Sequence, residues 1–548
     1  MYKPKTGRKI TLLAFLCLFS AGLSAQEALK SQEETYYDFL ALRGLSRRPY
    51  LNFRTLSDSA WALDDNAAHP WQGQNLGVKR QLFNNVFLRV YGPELFASFN
   101  SAAPYGQNDG ALWQGKGFNS SMTGGVRLEG YGAELTFKPQ LALSQNVKFD
   151  LMPSQMRAPQ YAGKADDYGY FWGTVDAPQR FGDKPVIVFD WGDSEIRYTW
   201  KTLTLGFGTQ AIWLGPSYLN SMLHSNNAPS YPKVDLGLRR QAVTIPFINW
   251  YLGDIEARLW VGQLTESGFF DWDTSNDHTM FHGFSFAYAP SFLPGLTLFA
   301  NRVALVAWEW ENLQYLIPKE ENTIEDQKAS FGVSWIFPTV GLEVYGELGV
   351  DDFVPHGLAG YQRYPIHTMT YTVGLKKTIP IVPPKNIYGM IFFEWNSMEM
   401  SQDFQLQWPY TAYFHHYIIH GYTNRGQWIG AGSAWGGNSQ YLEFKLYYPK
   451  GVSSLFVHRN NPDNNFIYSK AVYASAEDGQ LESSYFTSWK ANFIVGANTN
   501  YFLSNNFSIG GGLAYNLILN PLYYYNKTSG ANVHQDNYSF NISMQLSL

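Results

Sequence analysis

Residues 538–548, YSFNISMQLSL, set Tyr538, Phe540, Ile542, Met544, Leu546 and Leu548 against Ser539, Asn541, Ser543, Gln545 and Ser547. A period of two is the signature of a strand with one apolar and one polar face. An aromatic and aliphatic strand at this place suits barrel closure and insertion into an outer membrane, although Leu548 stands where a final Phe is more usual. The same alternation recurs upstream. In residues 132–144, Ala133, Leu135, Phe137, Leu141 and Leu143 alternate with Glu134, Thr136, Lys138 and Gln140. In 254–263, Ile255, Ala257, Leu259 and Val261 alternate with Glu256, Arg258 and Trp260, and in 341–349, Leu342, Val344 and Leu348 alternate with Glu343, Tyr345 and Glu347. One face suits lipid and the other a polar lumen, where charges are far cheaper than on the lipid side.

The connections alternate as well. Tight ones fall near residues 131, 201–202, 252–253, 290–294, 338–340, 380–386, 449–451 and 504–506. Long ones fall near 99–119, 146–193, 212–237, 264–280, 307–327, 351–368, 397–439, 461–486 and 519–535. Short periplasmic turns and long outer loops are the outer-membrane pattern. Eight turns and nine loops join about 18 strands if residues 88–99 form the first. The fold class is all-β, a transmembrane antiparallel barrel. Composition agrees, with 17% aromatic residues and 49 glycines, as aromatic girdles at two membrane interfaces require.

The first residues differ in kind. Lys3, Lys5, Arg8 and Lys9 precede the apolar run 10–21, and Ala25 offers a cleavage point, so residues 1–25 read as a signal peptide. Its removal takes four of the 40 basic residues and leaves 36 against 45 acidic ones, a formal charge of −9. It also takes Cys17, the single cysteine. The mature chain then has no thiol chemistry, and an acidic balance without a basic cluster excludes nucleic acid as a partner. Residues 26–85 are expected to form a mostly helical periplasmic or plug region, with one helix closed by Gly44 and a second short one near 55–64; residues 86–548 form the barrel.

Three segments stand out among the long loops: NDGALWQGKGFNSSMTGG (108–125), WLGPSYLNSMLHSNNAPSYP (213–232) and HGYTNRGQWIGAG (420–432). In order and spacing they resemble the Wzi family of outer-membrane capsule assembly proteins. The resemblance implies a monomeric barrel with a small helical N-terminal part, acting as a surface lectin that helps attach capsular polysaccharide, with outer-membrane lipid and the barrel-insertion machinery as its other partners.

The residues support a sugar site independently. Flat aromatic rings cover the apolar face of a pyranose, while amides, carboxylates and Arg meet its hydroxyls. Asn108, Asp109, Trp113, Gln114, Lys116, Trp213, Asn226, Asn227, Tyr422, Asn424, Arg425 and Trp428 supply that set. No cofactor is expected. His415, His416 and His420, or Asp271 with Asp273, lack the spacing of a zinc motif. Neither a nucleophile elbow nor a phosphate loop is present, so no catalysis is expected. Two readings stay open, a polysaccharide lectin or anchor and an outer-membrane transport channel.

Overall fold

The computed structural model describes residues 31–547 except 58–60, 64–67, 77–78, 153, 155–167, 172–173, 272, 317–323, 352–358, 360–361, 364–367, 400–411, 416, 435, 466–489 and 524–532. Residues 1–25 and Leu548 thus lie outside the described residues. The strands are β1 (Val86–Asn100), β2 (Gly117–Gly130), β3 (Ala133–Phe137 and Gln140–Ser144), β4 (Val186–Asp190 and Glu195–Trp200), β5 (Leu203–Gly208), β6 (Lys233–Ile245), β7 (Trp250–Thr265), β8 (His278–Pro290), β9 (Leu296–Ala307), β10 (Asp326–Phe337), β11 (Leu342–Asp351), β12 (Met369–Val382), β13 (Ile387–Ser397), β14 (Asn438–Tyr448), β15 (Gly451–Asn461), β16 (Ala491–Ser504), β17 (Phe507–Leu519) and β18 (His534–Leu546). Each pairs antiparallel with its neighbours, and β18 pairs with β1 from Ser539↔Asn100 to Gln545↔Glu94. The result is a closed barrel of 18 strands.

Alternation sets which face looks where. On β3, Leu135 and Phe137 are exposed while Glu134, Thr136 and Lys138 are buried. On β11, Val344 and Leu348 face out while Glu343 and Glu347 face in. Exposed Tyr131, Trp200, Phe247, Trp250 and Phe292 gather at the short turns, and Trp308, Trp310 and Trp395 near the long loops. An apolar band between two aromatic girdles is the surface a bilayer solvates.

β3 and β4 are interrupted together. Pro139 can donate no ladder bond, and the gap is bridged by Lys138 N–H to Ser194 Oγ at 3.0 Å and by Asp193 N–H to the Lys138 carbonyl at 3.1 Å. Closure needs one glycine in particular. A Cβ at Gly92, in the bulge of β1 between Tyr91 and Glu94, would collide with the carbonyl oxygen of Leu546 on β18.

One expected turn is displaced. The chain reverses at 246–249, where Phe247 and Asn249 have positive φ, not at 252–253. Gly253 lies inside β7, where its φ of 137° mimics a turn signal but serves an irregular stretch of the ladder with β6.

The N-terminal segment lies inside the lumen at the turn end. Ser31 caps α1 (Gln32–Leu42) by accepting the N–H of Glu34 at 3.1 Å. Gly44, φ 71°, ends it, with the N–H of Leu45 returning to the Leu40 carbonyl. The helix buries Tyr36, Phe39 and Leu40 against Trp71, Met390, Phe392, Tyr447 and Val452, several of which sit beside turns. Trp71 stacks on Tyr36 at 3.9 Å and donates its indole N–H to the Gly451 carbonyl. No second helix appears among the described residues of 55–64; there 62–63 pairs with 46–47 as a short antiparallel bridge.

Two outcomes follow. Unheated in mild detergent, the protein should run faster on a gel than after boiling, because a closed barrel exposes no strand edge; identical mobilities would contradict closure. Deleting residues 540–548 should abolish membrane insertion by leaving two unpaired edges in lipid, and normal surface levels of that truncation would refute the β18–β1 seam.

Candidate functional site

Three outer loops fold into the lumen and bind one another. Loop 101–116 meets loop 209–232 where Asn108 N–H donates to Asn227 Oδ1 at 3.0 Å, Asn108 Nδ2 to the Leu219 carbonyl at 2.9 Å, and Gly110 N–H to the Asn226 carbonyl at 2.9 Å. Loop 209–232 meets loop 398–437 through Asn227 Nδ2 to the Trp428 carbonyl at 3.0 Å, Asn424 Nδ2 to the Pro229 carbonyl at 2.9 Å, and Ser225 Oγ to the Gly430 carbonyl at 2.6 Å. The three singled-out segments are therefore one body.

Tyrosines pin that body. Tyr413 and Tyr422 stack at 4.8 Å, and the Tyr422 hydroxyl donates to the Leu223 carbonyl at 2.6 Å. The wall holds it too: Glu394 on β13 accepts the N–H groups of Tyr218, Leu219 and Asn220 at 2.5, 3.1 and 2.7 Å.

This packing divides the sequence candidates. Trp213, Tyr422 and Asn424 are fully or almost fully buried; Trp213 donates its indole N–H to the Ser217 carbonyl, and Asn424 joins loop to loop. Asn227 spends both ends of its amide on the same junction. Lys116 is half-buried and its carbonyl accepts the Val147 N–H. Trp428, half-buried, lies edge-on to Tyr170 at 6.0 Å. The remaining candidates reach open space.

Trp113 and Arg425 line one cavity of about 230 Å³ with Phe181, Glu266, Phe269 and Gln427. Trp113 is half-buried, edge-on to Phe181 at 5.1 Å. Arg425, with φ 50°, is held by its N–H to the Thr265 carbonyl at 2.7 Å and leaves its guanidinium exposed. Among the described residues that guanidinium has no ion pair.

Asp109 and Gln114 line a second cavity, of about 580 Å³, whose far wall is Tyr441, His458, Asn460, Asn492, Asn498 and Asn516. Those strand asparagines were missed by sequence reasoning. The signal was present in the lumen face of β16 and β17, but a short polar side chain there reads first as pore lining. Asn108 and Asn226 line a third cavity, about 260 Å³, with Lys138, Gln140 and Lys233.

Burial tunes the loop acids and bases. Asp109 is pushed up to about 7 by loss of water, opposed by the hydrogen bond from Gln114 at 2.7 Å. Asp176 likewise rises to about 7 through burial, against hydrogen bonds from Ser267 and Gly426. His224 and His420 fall to about 3 because burial penalises their cations. His420 is occupied as a hydrogen-bonding group, its Nδ1 lying 2.9 Å from Thr279 Oγ1.

Fold and loops together define an outer-membrane β-barrel whose lumen holds its own N-terminal segment and its inward-folded outer loops. Residues 106–307 match the family described as capsule assembly protein Wzi. A solved neighbour is Wzi of Escherichia coli, described as an outer-membrane protein involved in group 1 capsule assembly and a carbohydrate-binding β-barrel; it is 11% identical over 84% of this chain and 85% of its own, with a TM-score of 0.55. That likeness is one of fold. OccAB1 of Acinetobacter baumannii (9% identity, 86% and 98% coverage, TM-score 0.39) and OprD of Pseudomonas aeruginosa (8%, 86% and 95%, 0.39) are more distant barrels on which nothing further rests. No curated protein matches the sequence.

The raised carboxyl of Asp109 has a measurable sign. An unfolded Asp loses its proton near pH 4 and the folded one near pH 7, so between these values the unfolded state binds fewer protons and stability falls as pH rises. Below about pH 4 both states are protonated and this loss is absent. Hydrogen exchange at residues 105–116 should therefore quicken from pH 4 to pH 7.5, after correction for intrinsic exchange, more in the native protein than in Asp109→Asn. Equal responses would show that Asp109 is ionised throughout.

Proposed function

We propose that this protein is a surface lectin or anchor that binds exported capsular polysaccharide at the outer loops and helps attach it to the cell. The observation that carries the reading is the convergence of Trp113 and Arg425 on one loop-end cavity. Trp113 offers an aromatic face for a sugar ring, and Arg425 offers a fork of donors to a sugar carboxylate or a pair of hydroxyls. The neighbouring cavity adds the amides of Gln114, Asn492, Asn498 and Asn516 around Asp109, which suits a neutral, hydroxyl-rich ligand. The carbohydrate binding described for the Escherichia coli barrel supports the same reading. None of these contacts requires a reaction, and the chain serves as a binding protein. Residues 1–25 would direct export and be removed, residues 26–85 would close the periplasmic mouth, and the barrel-insertion machinery would place the monomer in lipid.

The transport-channel reading rests on the charged lumen face. Against it stands how much of that face is already used. Arg48 binds Glu343 through two hydrogen bonds of 2.7 and 2.6 Å, and Lys376 reaches Asp38 at 2.9 Å. In a planar bilayer the protein should pass little current, whereas porin-like conductance would favour transport.

A charge-assisted hydrogen bond is worth about 1.5–3 kcal/mol, so Arg425→Ala should weaken polymer retention roughly tenfold or more and release polymer into the medium. Both residues carry a Cβ, so the cost of the positive φ is unchanged, and with no ion pair to lose among the described residues the melting temperature should hold. Normal retention would remove Arg425 from the site. Lost retention together with a large fall in melting temperature would instead indicate a part in loop architecture.

A further inference from the structure

We infer that the loop following β7 is a calcium site formed by Glu266, Asp271 and Asp277. One oxygen from each lies within 4.8 Å of the other two. Like charges at that separation repel unless a proton or a cation stands between them. Arg425 lines the cavity beside Glu266 but forms no ion pair with it, and the next charged neighbours, Asp176 and Asp273, are acidic.

A second observation distinguishes this cluster from a solvated acidic surface. Glu266 is only 8% exposed, and its buried Oε1 has no hydrogen-bond donor. Asp271 Oδ2 and Asn276 Oδ1 are also buried without a donor. Buried acceptors left unpaired are costly, and several on one short loop call for a positive centre.

The donor set selects the ion. Carboxylate and amide oxygens suit a hard cation, and three carboxylates on a short loop fit calcium's six to eight ligands and loose geometry better than magnesium's strict octahedron and retained waters. Side-chain oxygens at alternate residues 271, 273, 275 and 277 follow the spacing of calcium-binding loops. Asp273 stands apart, accepting the N–H and hydroxyl of Ser275 at 2.9 and 2.6 Å.

The position gives the ion a role. Ser267 donates its N–H and hydroxyl to Asp176 at 2.6 and 2.5 Å, Thr265 N–H donates to Asn424 Oδ1 at 3.0 Å, and Glu266 N–H donates to the Asp277 carbonyl at 2.9 Å. A bound ion would thus fasten the loop that forms one wall of the Trp113–Arg425 cavity. The ion site itself does not depend on what that cavity binds.

The test uses the full mature chain, refolded free of lipopolysaccharide, stripped with EDTA and titrated with calcium chloride by calorimetry. One ion should bind per chain, with a higher melting temperature in calcium than in EDTA. Glu266→Gln should weaken binding roughly tenfold or more. In EDTA it should melt at or above the native protein, because a buried repulsion is gone, and calcium should not raise it further. No saturable uptake by the native chain, or uptake unchanged both in Glu266→Gln and in Asp271→Asn with Asp277→Asn, would overturn the site. Equal affinity for magnesium would overturn its assignment to calcium.

Discussion

Within a bilayer a backbone N–H has no water to bond, and 18 strands meet that constraint only when the last pairs with the first. The β18–β1 seam is therefore the contact on which the others depend. It fixes the circumference, and with it the inward placement of every second side chain. It also explains why Gly92 cannot carry a side chain at the point where the two edge strands close. The outer face is then solved by Leu, Val, Ile, Phe and two aromatic girdles, which lipid solvates without further partners.

The inner face is harder, because charges sent there must be neutralised or wet. On one side the wall neutralises itself: Arg197 and Arg258 both bind Asp235, at 2.6 and 2.7 Å, with all three almost fully buried. Elsewhere a carboxylate captures backbone from another part of the chain. Glu256 accepts the N–H groups of Leu51, Asn52 and Phe53 at 2.8, 2.9 and 2.7 Å, fixing the N-terminal segment. Glu394 does the same for residues 218–220, fixing an outer loop. One device, a wall carboxylate meeting a run of free amides, thereby docks both bodies that fill the lumen. Breaking either would leave a buried charge and unpaired N–H groups together, which is why these carboxylates are structural first.

The barrel was legible because its rules are local. Alternation shows in a dozen residues, turns carry Gly, Pro and Asn, and the count of reversals follows. The one displaced turn came from Gly253, whose positive φ serves a strand irregularity instead of a reversal. The loops obey no such period. From sequence Trp213 and Trp113 look equally fit for stacking on sugar, yet one is sealed against Arg54 and the other borders a cavity. That difference is set by contacts between segments far apart in the chain, such as Asn108 with Asn227 and Asn227 with Trp428. The asparagines of β16 and β17 were hidden for the opposite reason, since lumen-facing polar residues are expected on every strand.

Filling the lumen with loops has a consequence for recognition. A loop tethered only at its ends would lose conformational entropy on ordering around a ligand, and weak contacts to single sugars could not offset much of that cost. Here the walls are ordered without a ligand: stacked Tyr413 and Tyr422, the Asn227 junction and the Glu394 clamp hold them in place. The barrel therefore acts as a rigid frame around a surface whose chemistry comes mostly from loop residues, with asparagines of β16 and β17 on one wall. Sequence in those loops can change without disturbing the strands, which are bound by the closure constraint.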